Sequence, residues 1–142
     1  MSAQAIGRLN HVGIAVPSIE AGLKVYRDLL GGRVTREPFD LPAQGVRACF
    51  VDTPNCQVEL IEPLGAESPI AKFIEKNAAG GQHHVCFEVA DIHAAKADFE
   101  GRGVRVLGEP RIGAHGTLVF FLHPKDMGGT LIEIMETPEG AH

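Results

Sequence analysis

The stretch His11-Val12-Gly13-Ile14-Ala15-Val16-Pro17-Ser18-Ile19 decides the fold, because residues 84–92 restate it as His84-Val85-Cys86-Phe87-Glu88-Val89-Ala90-Asp91-Ile92. In the first copy the bulky Val12, Ile14 and Val16 alternate with small residues, the period-two pattern of a strand with one face on a core. His11 therefore faces the other way, together with Gly13 and Ala15. Pro17-Ser18 ends the strand, and Ser18 is placed to cap a helix. Ile19, Leu23, Tyr26, Leu29 and Leu30 then follow helical spacing up to the stop at Gly31-Gly32.

Working outward, the pattern predicts a short strand near Arg33-Val34-Thr35, a proline-containing loop over 37–44, and strands over 46–51 and 57–61. The turn Asp52-Thr53-Pro54-Asn55 separates the last two. A further helix begins at Ser68-Pro69, with Ile70, Phe73 and Ile74 on one face, and Gly80-Gly81 closes it. The second copy continues with a strand over 84–89, a helix over 92–100 and strands over 104–107, 118–122 and 130–135. Residues 137–142 read as a frayed tail. The 142 residues thus form one domain, with a βαβββ module over 8–62, a helical linker over 63–81 and a second module over 82–136. The short connections within each module favour antiparallel pairing. The expected class is α+β: two tandem βαβββ modules forming a curved mixed sheet, with helices on the outer face.

The repeat extends to chemistry. Each module ends in an apolar strand carrying one acid, Gln57-Val58-Glu59-Leu60-Ile61 and Leu131-Ile132-Glu133-Ile134-Met135. Glu59 lies 48 positions after His11, and Glu133 lies 49 after His84. With Val58 and Leu60 packed, Glu59 points away from the helix side, and the same alternation turns Glu133 and His84 that way. One buried histidine is ordinary; two histidines and two acids in register are not. Imidazoles and carboxylates without a thiolate suit a divalent ion such as Mn, Fe, Co, Ni or Zn.

Composition narrows the partners. A formal charge of −5 with no basic stripe argues against nucleic acid. No apolar run approaches the roughly 18–20 residues that span a bilayer. The start, Met1-Ser2-Ala3-Gln4-Ala5-Ile6-Gly7, lacks the basic-then-apolar layout of a secretion signal. Cys49, Cys56 and Cys86 are odd in number and show no CxxC spacing, which points to free thiols and a cytoplasmic setting.

Several segments resemble the vicinal oxygen chelate superfamily, whose paired βαβββ modules hold a metal, and more narrowly the methylmalonyl-CoA epimerases. They are Leu9-Asn10-His11-Val12 with Ile14-Ala15-Val16-Pro17, Pro63-Leu64 with Ser68-Pro69-Ile70-Ala71, Gly80-Gly81 with His83-His84-Val85, Ile112-Gly113-Ala114-His115-Gly116, and Phe121-Leu122-His123-Pro124-Lys125-Asp126. The resemblance covers nearly the whole chain, and its last two segments are the specific ones. It implies that His11, His84 and Glu133 are metal ligands, with Glu59 completing or approaching the shell. It also implies a homodimer. His83, turned by alternation to the helix side, is not expected to be a ligand. One departure stands out: where some epimerases carry a glutamate proposed as a base, three residues after the glycine matching Gly45, this chain has Ala48.

The resemblance implies interconversion of (R)- and (S)-methylmalonyl-CoA through an enolate. Negative charge develops on the thioester oxygen, where a divalent cation acts as a Lewis acid. Inversion needs a proton carrier on each face, and Glu59 and Glu133 are the candidates. Gln44, His115 in its glycine-rich loop and Lys125 in its turn are further candidates for contact with substrate, Lys125 towards a phosphate of coenzyme A. A glyoxalase I-like lyase or an extradiol-type dioxygenase would use the same ligand set. A non-catalytic binding module of this fold would have no need of four ligands.

Overall fold

The computed structural model describes residues 5–138. The four residues at either end, on which the readings of the secretion signal and the tail partly rest, lie outside the described residues. The chain divides into two compact units, His11–His83 and a second that joins the described residues of Met1–Asn10 to those of His84–His142.

In the first unit, β1 (Leu9–Ala15, entering from the second unit) leads to α1 (Ile19–Leu23), and the helix continues as a π-helix over Lys24–Leu29. Then come β2 (Arg33–Leu41), a 3-10 turn (Pro42–Gln44), β3 (Val46–Asp52), β4 (Gln57–Pro63) and α2 (Pro69–Lys76). The strands lie in the order β2-β3-β4-β1, antiparallel except for the parallel pair β1–β4. In the second unit, β5 (Gly81–Val89, entering from the first unit) leads to α3 (Ile92–Gly101), β6 (Val106–Ile112), β7 (Leu118–Leu122), a 3-10 turn (Pro124–Asp126) and β8 (Ile132–Glu136). Their order is β5-β8-β7-β6, again antiparallel except for the parallel pair β5–β8. Each unit is the same βαβββ motif.

Packing follows the alternation. In the first unit Val51 and Leu60 bury against Ile19 and Leu23 of α1. On the opposite face Ala15, Val46, Ala48 and Ile61 bury with Ile70 of α2. In the second unit Phe120, Leu122 and Ile134 bury against Ile92 and Ala95 of α3, while Cys86, Val119 and Met135 pack on the other face. Ser18 Oγ accepts from the Ala21 N–H, Ser68 Oγ from the Ile70 N–H and Asp91 Oδ1 from the His93 and Ala94 N–H groups, so each helix has a side-chain cap.

Three elements depart from the sequence reading. The segment expected to be a loop from Glu37 belongs to β2, which runs to Leu41. Pro38 is tolerated there because β2 is an edge strand whose ladder is already interrupted on both sides of Arg36. The first helix is α-helical only to Leu23; beyond it the Leu30 N–H bonds to the Val25 carbonyl at 2.9 Å, the wider π turn. The strand expected over 104–107 begins at Val106, because the Val104 N–H is taken by the Phe99 carbonyl at the end of α3. Thr137, read as tail, donates from its N–H and its hydroxyl to the Val89 carbonyl. No helix among the described residues is long and apolar enough to cross a membrane.

Candidate metal-binding and proton-transfer residues

Among the described residues, each unit contains a buried His–Glu pair. In the first, His11 on β1 and Glu59 on β4 are brought together by the parallel register, which sets Gly13 beside Glu59. His11 Nε2 stands 3.1 Å from Glu59 Oε1, and both side chains are buried. In the second, His84 on β5 and Glu133 on β8 repeat the arrangement, with Cys86 beside Glu133 in the register. His84 Nε2 stands 3.2 Å from Glu133 Oε1, again with both side chains buried. The Phe121 ring meets the His84 imidazole edge-on at 5.7 Å and fixes its plane.

These distances test the donor set. Nitrogen and oxygen ligands about 2.0–2.2 Å from one ion, at an angle near a right angle or a tetrahedral one, lie about 3 Å apart. Each pair has that spacing, and each of the four residues offers one imidazole nitrogen or carboxylate oxygen. Each pair can thus supply one nitrogen and one oxygen ligand to a divalent metal ion.

The remaining candidates sit on turns. Gln44 is half-buried at the end of a 3-10 turn, and Gly45 after it has φ 68°, the left-handed conformation that reverses the chain into β3. His115 is half-buried in the turn between β6 and β7, closed by the Gly116 N–H on the Gly113 carbonyl. Lys125 is exposed in the turn joining β7 to β8, where its N–H donates to His123 Nδ1. His83 packs edge-on against Phe73 of α2 at 5.3 Å. Ala48 is fully buried among apolar neighbours and carries no titratable group.

Sequence reasoning missed Arg36 and Phe39, which lie on the same face as Glu59. It also missed Glu62 and Glu136, whose carboxylates accept from the first backbone N–H of α1 and α3. Their spacing, three residues after each site glutamate, was the available signal.

Residues 10–121 match the family described as the Glyoxalase/Bleomycin resistance protein/Dioxygenase superfamily. The chain belongs to that superfamily. Within it, the chain is 56% identical over 131 residues to the ethylmalonyl-CoA/methylmalonyl-CoA epimerase of Cereibacter sphaeroides, covering 91% of this chain and 97% of that protein. Among solved structures it matches the methylmalonyl-CoA epimerase from Mycobacterium tuberculosis with a TM-score of 0.88 at 33% identity, over 97% of this chain and 93% of that one. It also matches a methylmalonyl-CoA epimerase in complex with methylmalonyl-CoA and NH4+, with a TM-score of 0.86 at 36% identity, over 95% of this chain and 97% of that one. The fold is thus the vicinal oxygen chelate fold of these superfamily members.

Proposed function

We propose that this protein is a metal-dependent epimerase that interconverts the (R) and (S) forms of methylmalonyl-CoA. One observation carries the reading: a chain 56% identical to a methylmalonyl-CoA epimerase over 91% of its length keeps a buried His–Glu pair in each unit.

His11, Glu59, His84 and Glu133 are the proposed ligands of one divalent cation. When bound, the cation supplies Lewis-acid stabilisation of the charge that builds on the thioester oxygen. The His–Glu pairs are buried, which strengthens electrostatic interactions at their donor atoms. Glu59 and Glu133 are the proposed proton carriers, one taking the α-proton and the other returning a proton to the opposite face. Ala48 cannot take a proton, so the base that the resemblance would put at this position is not carried over to this chain. Gln44, His115 and Lys125 are assigned to substrate contacts. Co, Mn, Ni, Zn and Fe all suit the donor set, and cobalt is our choice among them. Three free cysteines suit a reducing compartment, and we place the protein in the cytoplasm as a homodimer.

Isotope exchange tests the reading. The metal-loaded protein in D₂O is expected to replace the α-proton of methylmalonyl-CoA by deuterium in both epimers, followed by NMR. Absence of exchange across the five candidate metals would overturn it. Light scattering tests the dimer.

A further inference from the structure

Strand β2 pairs with β3 through two slips of register, between Val34 and Arg36 and between Arg36 and Phe39. Each slip is a β-bulge, which re-aims the side chains that follow it. Val34 packs with the α1 core. Strict alternation would put Arg36 on that same side and Phe39 on the other. The first bulge turns Arg36 to the face of Phe50, and the second brings Phe39 to that face as well. The Arg36 guanidinium carbon consequently stands 3.5 Å over the Phe39 ring and 5.9 Å from the Phe50 ring, and the two rings meet edge-to-face at 5.4 Å.

The register then sets four residues abreast: Arg36 opposite Phe50, Phe50 opposite Glu59, and Glu59 beside Gly13. At about 4.8 Å per strand, the Arg36 and Glu59 backbones are separated by about 10 Å on one face of the sheet. Glu59 is buried and Arg36 is exposed. Stacking on the rings restrains a long side chain, and the N–H groups of a guanidinium lie in its plane, the geometry that grips a phosphate through two hydrogen bonds. The chain carries a net charge of −5, so an anionic ligand needs local cations to be drawn in.

We propose that Arg36 binds the phosphate groups of the coenzyme A moiety, while the acyl end of the same molecule lies at Glu59. The assignment rests on the reading of the substrate as a malonyl-type CoA thioester. A buried carboxylate at one end of the row and a stacked, exposed cation at the other match a ligand with a reactive head and an anionic tail.

The test compares wild type, R36Q and R36K on two substrates, methylmalonyl-CoA and the methylmalonyl thioester of pantetheine, which lacks phosphates. R36Q is expected to raise KM for methylmalonyl-CoA about tenfold, the scale of one charged hydrogen bond, with kcat within about twofold. KM for the pantetheine thioester is expected to stay unchanged, and R36K to recover part of the loss. An equal rise on both substrates, or on neither, would overturn the assignment. If wild type fails to turn over methylmalonyl-CoA, the epimerase reading falls, and calorimetric titration with coenzyme A alone still decides the arginine. Binding weakened about tenfold in R36Q upholds the phosphate contact; equal or absent binding overturns it.

Discussion

Glu62 accepts a hydrogen bond from the backbone N–H of Ile19 at 2.7 Å, tying the end of β4 to the first turn of α1. The second unit repeats the device, with Glu136 of β8 accepting from Ile92 of α3 at 3.1 Å. A carboxylate at a helix N-terminus satisfies an orphan donor and meets the positive end of the helix dipole. It also anchors the strand that presents the site glutamate three residues earlier. Glu62→Ala is expected to cost about 1 kcal/mol, seen as a fall of roughly 3 °C in Tm, whereas Glu62→Gln keeps the bond and loses less. Equal losses in the two variants would mean that the charge, and not the acceptor, matters.

Glu88 makes the second strong tether. Its carboxylate is buried in β5 and accepts from Asn10 Nδ2 at 2.7 Å and from Arg8 Nη2 at 3.0 Å, on the segment that leads directly into His11. Removing this buried acceptor breaks the bonds from Asn10 and Arg8, a cost of about 2 kcal/mol. Glu88→Ala is expected to lower Tm by several degrees. The double variant with Asn10→Ala should lose less than the sum of the two single variants, which a thermodynamic cycle reads directly. Strict additivity would show that the contact carries no coupling.

These tethers also mark how far the sequence could be read. The facing of His11, Glu59, His84 and Glu133 was legible because strand alternation has a fixed period: once Val58 and Leu60 were packed, the direction of Glu59 followed. Alternation fails where the backbone inserts a residue, and both bulges of β2 lie beside Arg36, so neither the strand to Leu41 nor the facing of Arg36 could be read. The π turn after Leu23 was hidden for a similar reason, since Tyr26 and Leu29 suit either helical period. The roles of Glu62 and Glu136 depend on contacts across 43 and 44 positions, so their matched spacing after Glu59 and Glu133 marked a repeat without showing what they bind.

Gly80 illustrates a backbone constraint that the turn signal only partly conveyed. Its φ is 87°, and a Cβ placed there would run into the Ala15 carbonyl oxygen. Gly80→Ala is thus strained both in conformation and in space, and it should destabilise by about 2–4 kcal/mol in a urea titration. Gly65, with φ 91° and open space around it, should cost only about 1 kcal/mol on the same substitution. Equal midpoints for the two variants would remove the close approach from the argument.

Acid stability should depend on Asp126. Arg105 donates to its carboxylate from Nε, Nη2 and the backbone N–H, and these bonds lower its pKa from the ordinary 3.8 to about 2. A depressed folded-state pKa stabilises the native state above the unfolded value and ceases to do so as pH falls through the folded one. The contribution is therefore complete above about pH 4 and fades towards pH 2. Asp126→Asn should flatten the fall of Tm with pH in that window and leave the slope above it unchanged. A slope unchanged within the window would rule out the Arg105 contact as its source.

Metal binding and proton transfer should separate between the members of one pair. His11 can act only as a ligand in the proposed site, so His11→Ala should lower metal content, and with it the rise in Tm that added metal produces. That rise corresponds to about 2.7 kcal/mol when the free ion stands at a hundred times its dissociation constant. Glu59→Gln keeps an oxygen donor but cannot carry a proton. It should retain much of the metal while kcat falls by a factor of about 10²–10⁴, the range of a lost acid–base group. Elemental analysis and Tm report the first property, and deuterium exchange from D₂O reports the second. Full turnover by the Glu59→Gln variant would remove Glu59 from proton transfer, leaving it a ligand alone.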